Sequence, residues 1–341
     1  MQLCVPRIAD VIGDGGAVMY TVDDIQIFIP TYNRPALLGK MIDSLLAQTA
    51  RPGKIVVLDN GGHVETQAVV DRYAHVGVCS VNTSALGHNG NMLMAKQLAD
   101  RAYVALFHDD DQLHPDYLSH VIHALNTHSE EIMVISGNTV FQPIDKPLFP
   151  LKSLENRGFI FDRRDFATYI FNERRALFSY AIYRTDTFKR HDIRAFFETH
   201  GKACDTPFMI ACVENGKALV FEGACGWYGI HVGQDTHDPS TFPDVRTRIE
   251  VEAYFFNEMG DDPRTFSGFS FCMMGYRHLV SSYKRRGRRT ISFLEYLRLA
   301  RARGALTKKV SAFRLVSNHV TQKMFINCAA FFYRRIAKPL F

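Results

Sequence analysis

The chain has 341 residues, 47% hydrophobic and 22% charged, which excludes disordered, collagen-like and coiled-coil architectures and leaves room for about two domains or one domain with an extension. Its net charge of +5 conceals a split: 276–341 holds 16 Lys or Arg against a single acid, Glu295, while 1–275 holds 24 basic and 34 acidic residues. An acidic body joined to a basic tail is the expected organisation.

In chain order, 1–23 lacks periodicity and reads as a glycine-containing lead-in. IQIFIP (25–30) is a short, β-branched apolar run closed by Pro30, the pattern of a buried strand. Helical spacing follows from Pro35 to Gln48, with Pro35 suited to a first turn. The alternation repeats through KIVVLD (54–59), a helix over 64–73, VGVCSVN (76–82), a helix over 87–101, YVALFH (103–108), a helix starting at Pro115 and IMVIS (132–136). Strands without polar alternation, separated by amphipathic helices, predict an α/β fold whose mostly parallel sheet is covered on both faces. Ligands of such sheets bind beyond the carboxyl ends of the strands. From 138 to 240 the pattern is mixed, with strands expected at 178–183, 217–223 and 225–232, and from 241 onward helix dominates. The domain reading is therefore a lead-in at 1–23, a body at 24–240 divided near 137, and a basic helical region at 241–341.

Seven scattered cysteines (Cys4, Cys79, Cys204, Cys212, Cys225, Cys272 and Cys328) form no C-x-x-C pair, which predicts reduced thiols in a cytoplasmic protein. No basic segment leads into an apolar core at the start, so no signal peptide is expected. Apolar runs fall short of the roughly 20 residues that cross a bilayer.

Three strand ends carry distinctive chemistry: Thr31-Tyr32-Asn33-Arg34, Asp59-Asn60-Gly61-Gly62 and Asp109-Asp110-Asp111. Three adjacent carboxylates repel one another and call for a cation, and their hard oxygens suit Mg²⁺ or Mn²⁺ shared with a substrate's phosphates. Against this stands a solvated acidic turn, which the preceding buried strand disfavours. Asp59 can accept a hydrogen bond from a base ring N–H, or simply close a turn before Gly61-Gly62. Gly87-His88-Asn89-Gly90-Asn91 opens a helix whose amides can approach a nucleotide, or only cap it.

IFIPTYNRPALLGKMIDSLLAQT, VVLDNGG, LGHNGNMLMAKQLA and YVALFHDDDQLHPDYL, in this order and spacing, resemble a family 2 glycosyltransferase of the Rossmann-like GT-A fold over about 24–235. The resemblance implies transfer of a sugar from a nucleotide sugar, with inversion and a divalent metal. It makes 24–137 the nucleotide-binding half and 138–240 the half bearing acceptor and base. It places Thr31, Tyr32 and Arg34 against the nucleoside, Asp59 at the base and Asn89 beside the nucleotide. It makes Asp109 and Asp111 the acids of a D-x-D motif, on the ribose and metal sides. His108 stands where the family often has an apolar residue, and the spacing to Pro115 leaves both Asp110 and Asp111 eligible for the metal, with the other on the nucleotide.

Inverting transfer also needs a base for the acceptor hydroxyl. In KACDTPFMIACVENGKA the resemblance gives that role to Asp205, which can equally cap the helix that Pro207 begins. His231, in YGIHVGQ, is the resemblance's candidate for the metal or the diphosphate; the remaining histidines lack zinc spacing. Arg157, Ser179 and Tyr180 fall in a stretch with no motif to assign them. No G-x-x-x-x-G-K-[ST] loop, G-x-G-x-x-G turn or G-x-S-x-G elbow occurs.

The expected function is metal-dependent transfer from a UDP-linked sugar to a glycan or lipid-linked hydroxyl. A nucleotidyltransferase is the rival enzyme, although TYNRP replaces its glycine-rich basic loop. A non-catalytic polyanion-binding protein is the rival of another class. In the tail, cations interleave with Leu, Phe and Tyr, which suits an anionic membrane surface more than nucleic acid. The expected location is the cytoplasm, peripheral on the inner face of the membrane; the alternative is a helical cap with a solvated basic face.

Overall fold

Strand β1 (Ile25–Thr31) is apolar on both sides because the sheet it joins is covered on both faces. It runs parallel to β2 (Ile55–Asp59) on one side and to β4 (Tyr103–Leu106) on the other, and β2 runs parallel to β3 (Val78–Asn82). The computed structural model describes residues 19–86, 90–128, 131–173, 177–231 and 291–302, with Val251, Tyr254, Glu258, Tyr276 and Val280 between.

The connections are helices that each bury one stripe. In α1 (Pro35–Leu46), with Pro35 in its first turn, Leu38, Met41, Ile42 and Leu45 are buried. Then α2 (Val64–Tyr73) buries Thr66, Val69 and Val70, and α3 (Gly90–Leu98) buries Gly90 and Ala95. Each fully buried Leu or Ile contributes about 1.5–3 kcal/mol. After β4 come a two-residue strand β5 (Gln112–Leu113), α4 (Tyr117–Thr127), β6 (Ile132–Pro143), β7 (Gly158–Phe161), α5 (Arg163–Glu173), β8 (Ile182–Arg184), α6 (Thr185–Arg190), α7 (Ile193–His200), α8 (Asp205–Ala211) and β9 (Lys217–Ile230).

Among the described residues the strands join one nine-stranded sheet in the order β3-β2-β1-β4-β8-β6-β9-β5, with β7 also on β9. β6 and β9 are parallel, while β8, β5 and β7 pair antiparallel to their neighbours. The centre is aromatic. Tyr117 packs edge-on against Tyr180 and Phe221, and its hydroxyl donates to the Tyr180 carbonyl. Tyr103 is buried, and its hydroxyl donates to the Ile132 carbonyl at 2.9 Å.

Several expectations are revised. The strand expected at 178–183 is a 3-10 turn, Leu177–Tyr180, followed by the short β8. The two strands expected at 217–223 and 225–232 are one irregular strand, β9. YVALFH leaves the sheet at Leu106, so His108 lies in the turn that follows.

Cys204, Cys212 and Cys225 are buried free thiols and Cys79 is an exposed one. Contacts divide the chain into two units, 1–247 and 248–341. In the second, α9 (Phe293–Ala302) packs with Tyr276, whose ring lies 5.0 Å from Phe293 and 5.5 Å from Tyr296. The lead-in at 1–18, and most of the basic helical region expected at 241–341, lie outside the described residues. Among those described, no helix is long and apolar enough to cross a membrane.

Gly77 closes the turn into β3 with φ +88°, and a Cβ there would lie 2.1 Å from the Gly53 carbonyl oxygen. Gly77→Ala is expected to lose about 2–4 kcal/mol of stability, from backbone strain plus the clash. Urea unfolding checks this; a loss under 1 kcal/mol would mean the turn relaxes freely.

Candidate active site

The parallel register sets Thr31 beside Asp59, and Asp59 beside Asn82, at the carboxyl ends of β1, β2 and β3. The next end in the sheet is that of β4, which delivers His108 and the three aspartates. One edge of the sheet thus collects polar groups supplied by segments far apart in sequence.

Each aspartate has a different partner. Asp109 accepts from the Thr31 hydroxyl at 2.6 Å on Oδ2 and from Arg34 Nη1 at 3.1 Å on Oδ1. The same Arg34 nitrogen donates to Asp110 Oδ2 at 3.2 Å, and His231 Nε2 donates to that oxygen at 3.0 Å. Asp111 accepts from the Gly229 amide at 3.0 Å on Oδ1, while its Oδ2 is buried without a hydrogen-bond partner. Asn33, in the left-handed region at φ 54°, turns the chain between Thr31 and Arg34; Asn tolerates that conformation better than most residues. Gly229 is required by space, because a Cβ there would lie 1.9 Å from the Asp110 carbonyl oxygen.

Burial dominates the electrostatics. It raises the pKa of Asp109 even though Arg34 and Thr31 pull it down. It pushes Asp111 up to about 7 against the downward pull of His108 and the Gly229 amide. The Ser179 hydroxyl pulls Asp111 the same way, although it falls outside hydrogen-bond geometry. Burial also raises Asp205, with His108 and Cys204 opposing. His108 shows the reverse balance. Burial lowers it, but Asp111, Asp110, Asp205 and Asp109 together leave it raised. His108 and Asp205, the base candidate from α8, act on each other's charge.

The side chains of His108, Asp110 and Asp111 each offer a ligand atom, all within 4.8 Å of one another. One imidazole and two carboxylates suit a divalent cation. Two ligands expected from the sequence are engaged elsewhere: Asp109 by Thr31 and Arg34, and His231 Nε2 by Asp110. His108 is marked in the sequence only by its departure from an apolar position, Gly229 only as part of the YGIHVGQ segment, and Ser179 only as a residue with no motif to assign it.

Asp59 is buried, and its Oδ1 accepts from the Gly61 and Gly62 amides at 2.9 and 3.0 Å, so it does close the turn. It also lines a cavity of about 280 Å³ with His63, Gln67, Ser80 and Asn82. Tyr32 is exposed. Asn89 and the segment after His231 lie outside the described residues.

Residues 26–191 match the family model for glycosyl transferase family 2. These residues form a family 2 glycosyltransferase domain. The chain is similar to the O-antigen chain rhamnosyltransferase RfbN of Salmonella typhimurium, 29% identical over 87 residues that cover 25% of this chain and 28% of that protein. Protein CgeD of Bacillus subtilis is 25% identical over 127 residues, 35% of this chain and 30% of CgeD. The chain thus spans about a third of the length of these relatives. Among solved structures, S. aureus TarS 1–349 with UDP-GlcNAc superposes with a TM-score of 0.56 at 18% identity, over 82% of this chain and 79% of that one. The same TarS fragment with UDP gives 0.52 at 17% identity, over 75% and 72%. The family 2 domain therefore has the GT-A fold, a mixed sheet flanked by helices.

The raised aspartates and His108 hold their protons more tightly in the folded than in the unfolded chain, so each favours folding at low pH and loses that effect as pH rises. For Asp111 the window runs from about pH 4 to about pH 7. Burial lowers His114, His191 and His200, which act in the opposite direction, so the readout is a difference. With chelator present, Asp111→Asn is expected to stabilise the protein increasingly from pH 5 to pH 8, by a few kcal/mol at the upper end. Mn²⁺ is expected to raise the melting temperature of the wild type but not of the variant. A pH-independent difference would mean that Asp111 ionises normally.

Proposed function

We propose that this protein transfers a sugar from a nucleotide sugar, UDP-linked, to a hydroxyl of a glycan or lipid-linked acceptor, with inversion. The observation that carries this reading is the grouping of His108, Asp110 and Asp111, with Asp109 held beside Asp110 by the shared Arg34, at a strand end of a family 2 domain. The UDP and UDP-GlcNAc bound by TarS, and the rhamnosyl transfer in the name of RfbN, support a nucleotide-sugar donor and a surface-glycan acceptor.

The orphaned Asp111 Oδ2 and the grouped donors of His108, Asp110 and Asp111 fit a divalent ion, Mn²⁺ or Mg²⁺. When bound, such an ion neutralises charge that develops on the departing diphosphate. The chain's own residues do the rest. Thr31 and Arg34 fix the Asp109 carboxylate toward the donor's ribose. Asp59 and its cavity take the base. His231 and Arg34 restrain Asp110 beside the diphosphate.

Asp205 opens α8, and among the described residues its hydrogen bond is a weak one from Cys204 Sγ at 3.9 Å. A carboxylate so lightly held, and made more basic by burial, is suited to accept a proton from the acceptor hydroxyl. The acceptor oxygen forms the new bond to the anomeric carbon, the bond from that carbon to the diphosphate oxygen breaks, and the hydroxyl proton passes to Asp205. Asp205→Asn is expected to keep donor affinity within about threefold, by calorimetry with UDP, while turnover falls by about two to four orders of magnitude. Turnover within tenfold of wild type would place the base elsewhere.

The sixteen cations of 276–341 are, in this proposal, a contact for an anionic membrane surface. Co-sedimentation with vesicles containing phosphatidylglycerol is expected at low salt and to be lost when 276–341 is deleted. Undiminished binding of the deleted chain would reject the tail as the contact.

A further inference from the structure

A second cavity, about 280 Å³, has Asp110 in its lining but neither Asp109 nor Thr31. Its walls include Lys40 from α1, Gln112 from β5, Trp227 from β9, and Lys146 and Leu148 from the segment after β6. None of these residues has a role in the binding of the nucleotide described above.

The cavity is built rather than incidental. Gln142, 2% exposed, donates through Nε2 to the carbonyls of Pro143 at 2.9 Å, Pro147 at 3.1 Å and Lys146 at 3.4 Å, and its Oε1 accepts from the Phe149 amide at 3.0 Å. Trp227 Nε1 donates to the Phe149 carbonyl at 2.7 Å, and Lys40 Nζ reaches the Ile144 carbonyl at 3.4 Å. One buried amide and one indole thus hold the loop 143–149 in a single path, which lowers the ordering cost of binding.

The cavity's chemistry has two parts. Trp227 and Leu148 offer an apolar face, with the side-chain amide of Gln112 beside it for hydroxyls. Lys40 and Lys146 offer positive charge, and among the described residues neither ammonium is paired with a carboxylate. Asp110, also in the lining, accepts from Arg34 and His231, whereas the two lysines have no carboxylate partner among the described residues. Lysine is an effective point charge for phosphate.

We infer that this cavity is a subsite for a phosphate-bearing sugar unit of the acceptor, with the sugar ring on Trp227 and the phosphate on Lys40 and Lys146. The inference rests on the glycosyl-transfer reading for the word acceptor; the binding itself does not.

Trp227 is the only tryptophan in the chain, so intrinsic tryptophan fluorescence reports on this cavity alone. Full-length protein is titrated, without nucleotide, with a hexose 1-phosphate, with the neutral hexose and with inorganic phosphate. Saturable change with the hexose phosphate, at least tenfold tighter than with either other probe, is expected. A short-chain isoprenyl diphospho-hexose and a hexosyl glycerophosphate then distinguish a lipid-linked from a polymeric source, and tighter binding of either upholds the site.

The double variant Lys40→Gln, Lys146→Gln is expected to weaken hexose phosphate binding at least tenfold while calorimetric UDP affinity stays within twofold. Fluorescence that none of the probes moves, unchanged affinity in the double variant, equal response to inorganic phosphate, or displacement of the hexose phosphate by UDP would each overturn the assignment. If saturable binding is seen but no donor is turned over, the subsite stands and the transfer reading falls.

Discussion

Negative charge concentrated at the end of a buried strand is the constraint around which this molecule is arranged. Three consecutive carboxylates follow β4, and Asp109 and Asp111 are almost fully buried. Removing ions from water is costly unless each finds a partner. Here the partners come one by one from elsewhere: Thr31 and Arg34 from the first βα turn, His231 and Gly229 from the far end of β9. What they leave unmet, Asp111 Oδ2 and the raised pKa values nearby, is the chemical opening that a cation would fill.

That requirement explains features that would otherwise seem unrelated. β9 approaches the triplet so closely that side chains are excluded at two points: a Cβ at Gly226 would meet the Gln112 carbonyl at 2.3 Å, and one at Gly229 the Asp110 carbonyl at 1.9 Å. Asn33 takes a left-handed conformation so that Arg34 starts α1 beside two of the carboxylates. Four aspartates, Asp205 of α8 among them, overcome the desolvation of His108.

The parallel half of the fold was legible because its strands are uninterrupted apolar runs and its helices have clean stripes; β1, β2, β3 and β4 fall within a few residues of the expected runs. The other half was less so. The glycines at 223, 226 and 229 break the apolar pattern of β9 and made one long strand look like two. FSYAIY has the composition of a strand, but Leu177–Tyr180 coils to bury Tyr180 against Tyr117. Residue types at strand ends marked the aspartates, Thr31, Arg34 and Asp59, yet the pairing of Thr31 and Arg34 with Asp109 is a matter of contacts spanning 75 or more positions, which no local pattern carries. Gln142 is a single polar residue in a strand, and nothing in the sequence around it announces that it organises a loop.

The way Gln142 holds that loop has a consequence for redesign. Its amide grips main-chain carbonyls and an amide, and Trp227 also bonds to a carbonyl, so the path of 143–149 is specified without reference to the side chains at 144–148. Those positions form an exchangeable cassette on a fixed mount. Their identities can be varied in a library while the backbone trace, and the carboxylate cluster beyond it, are retained.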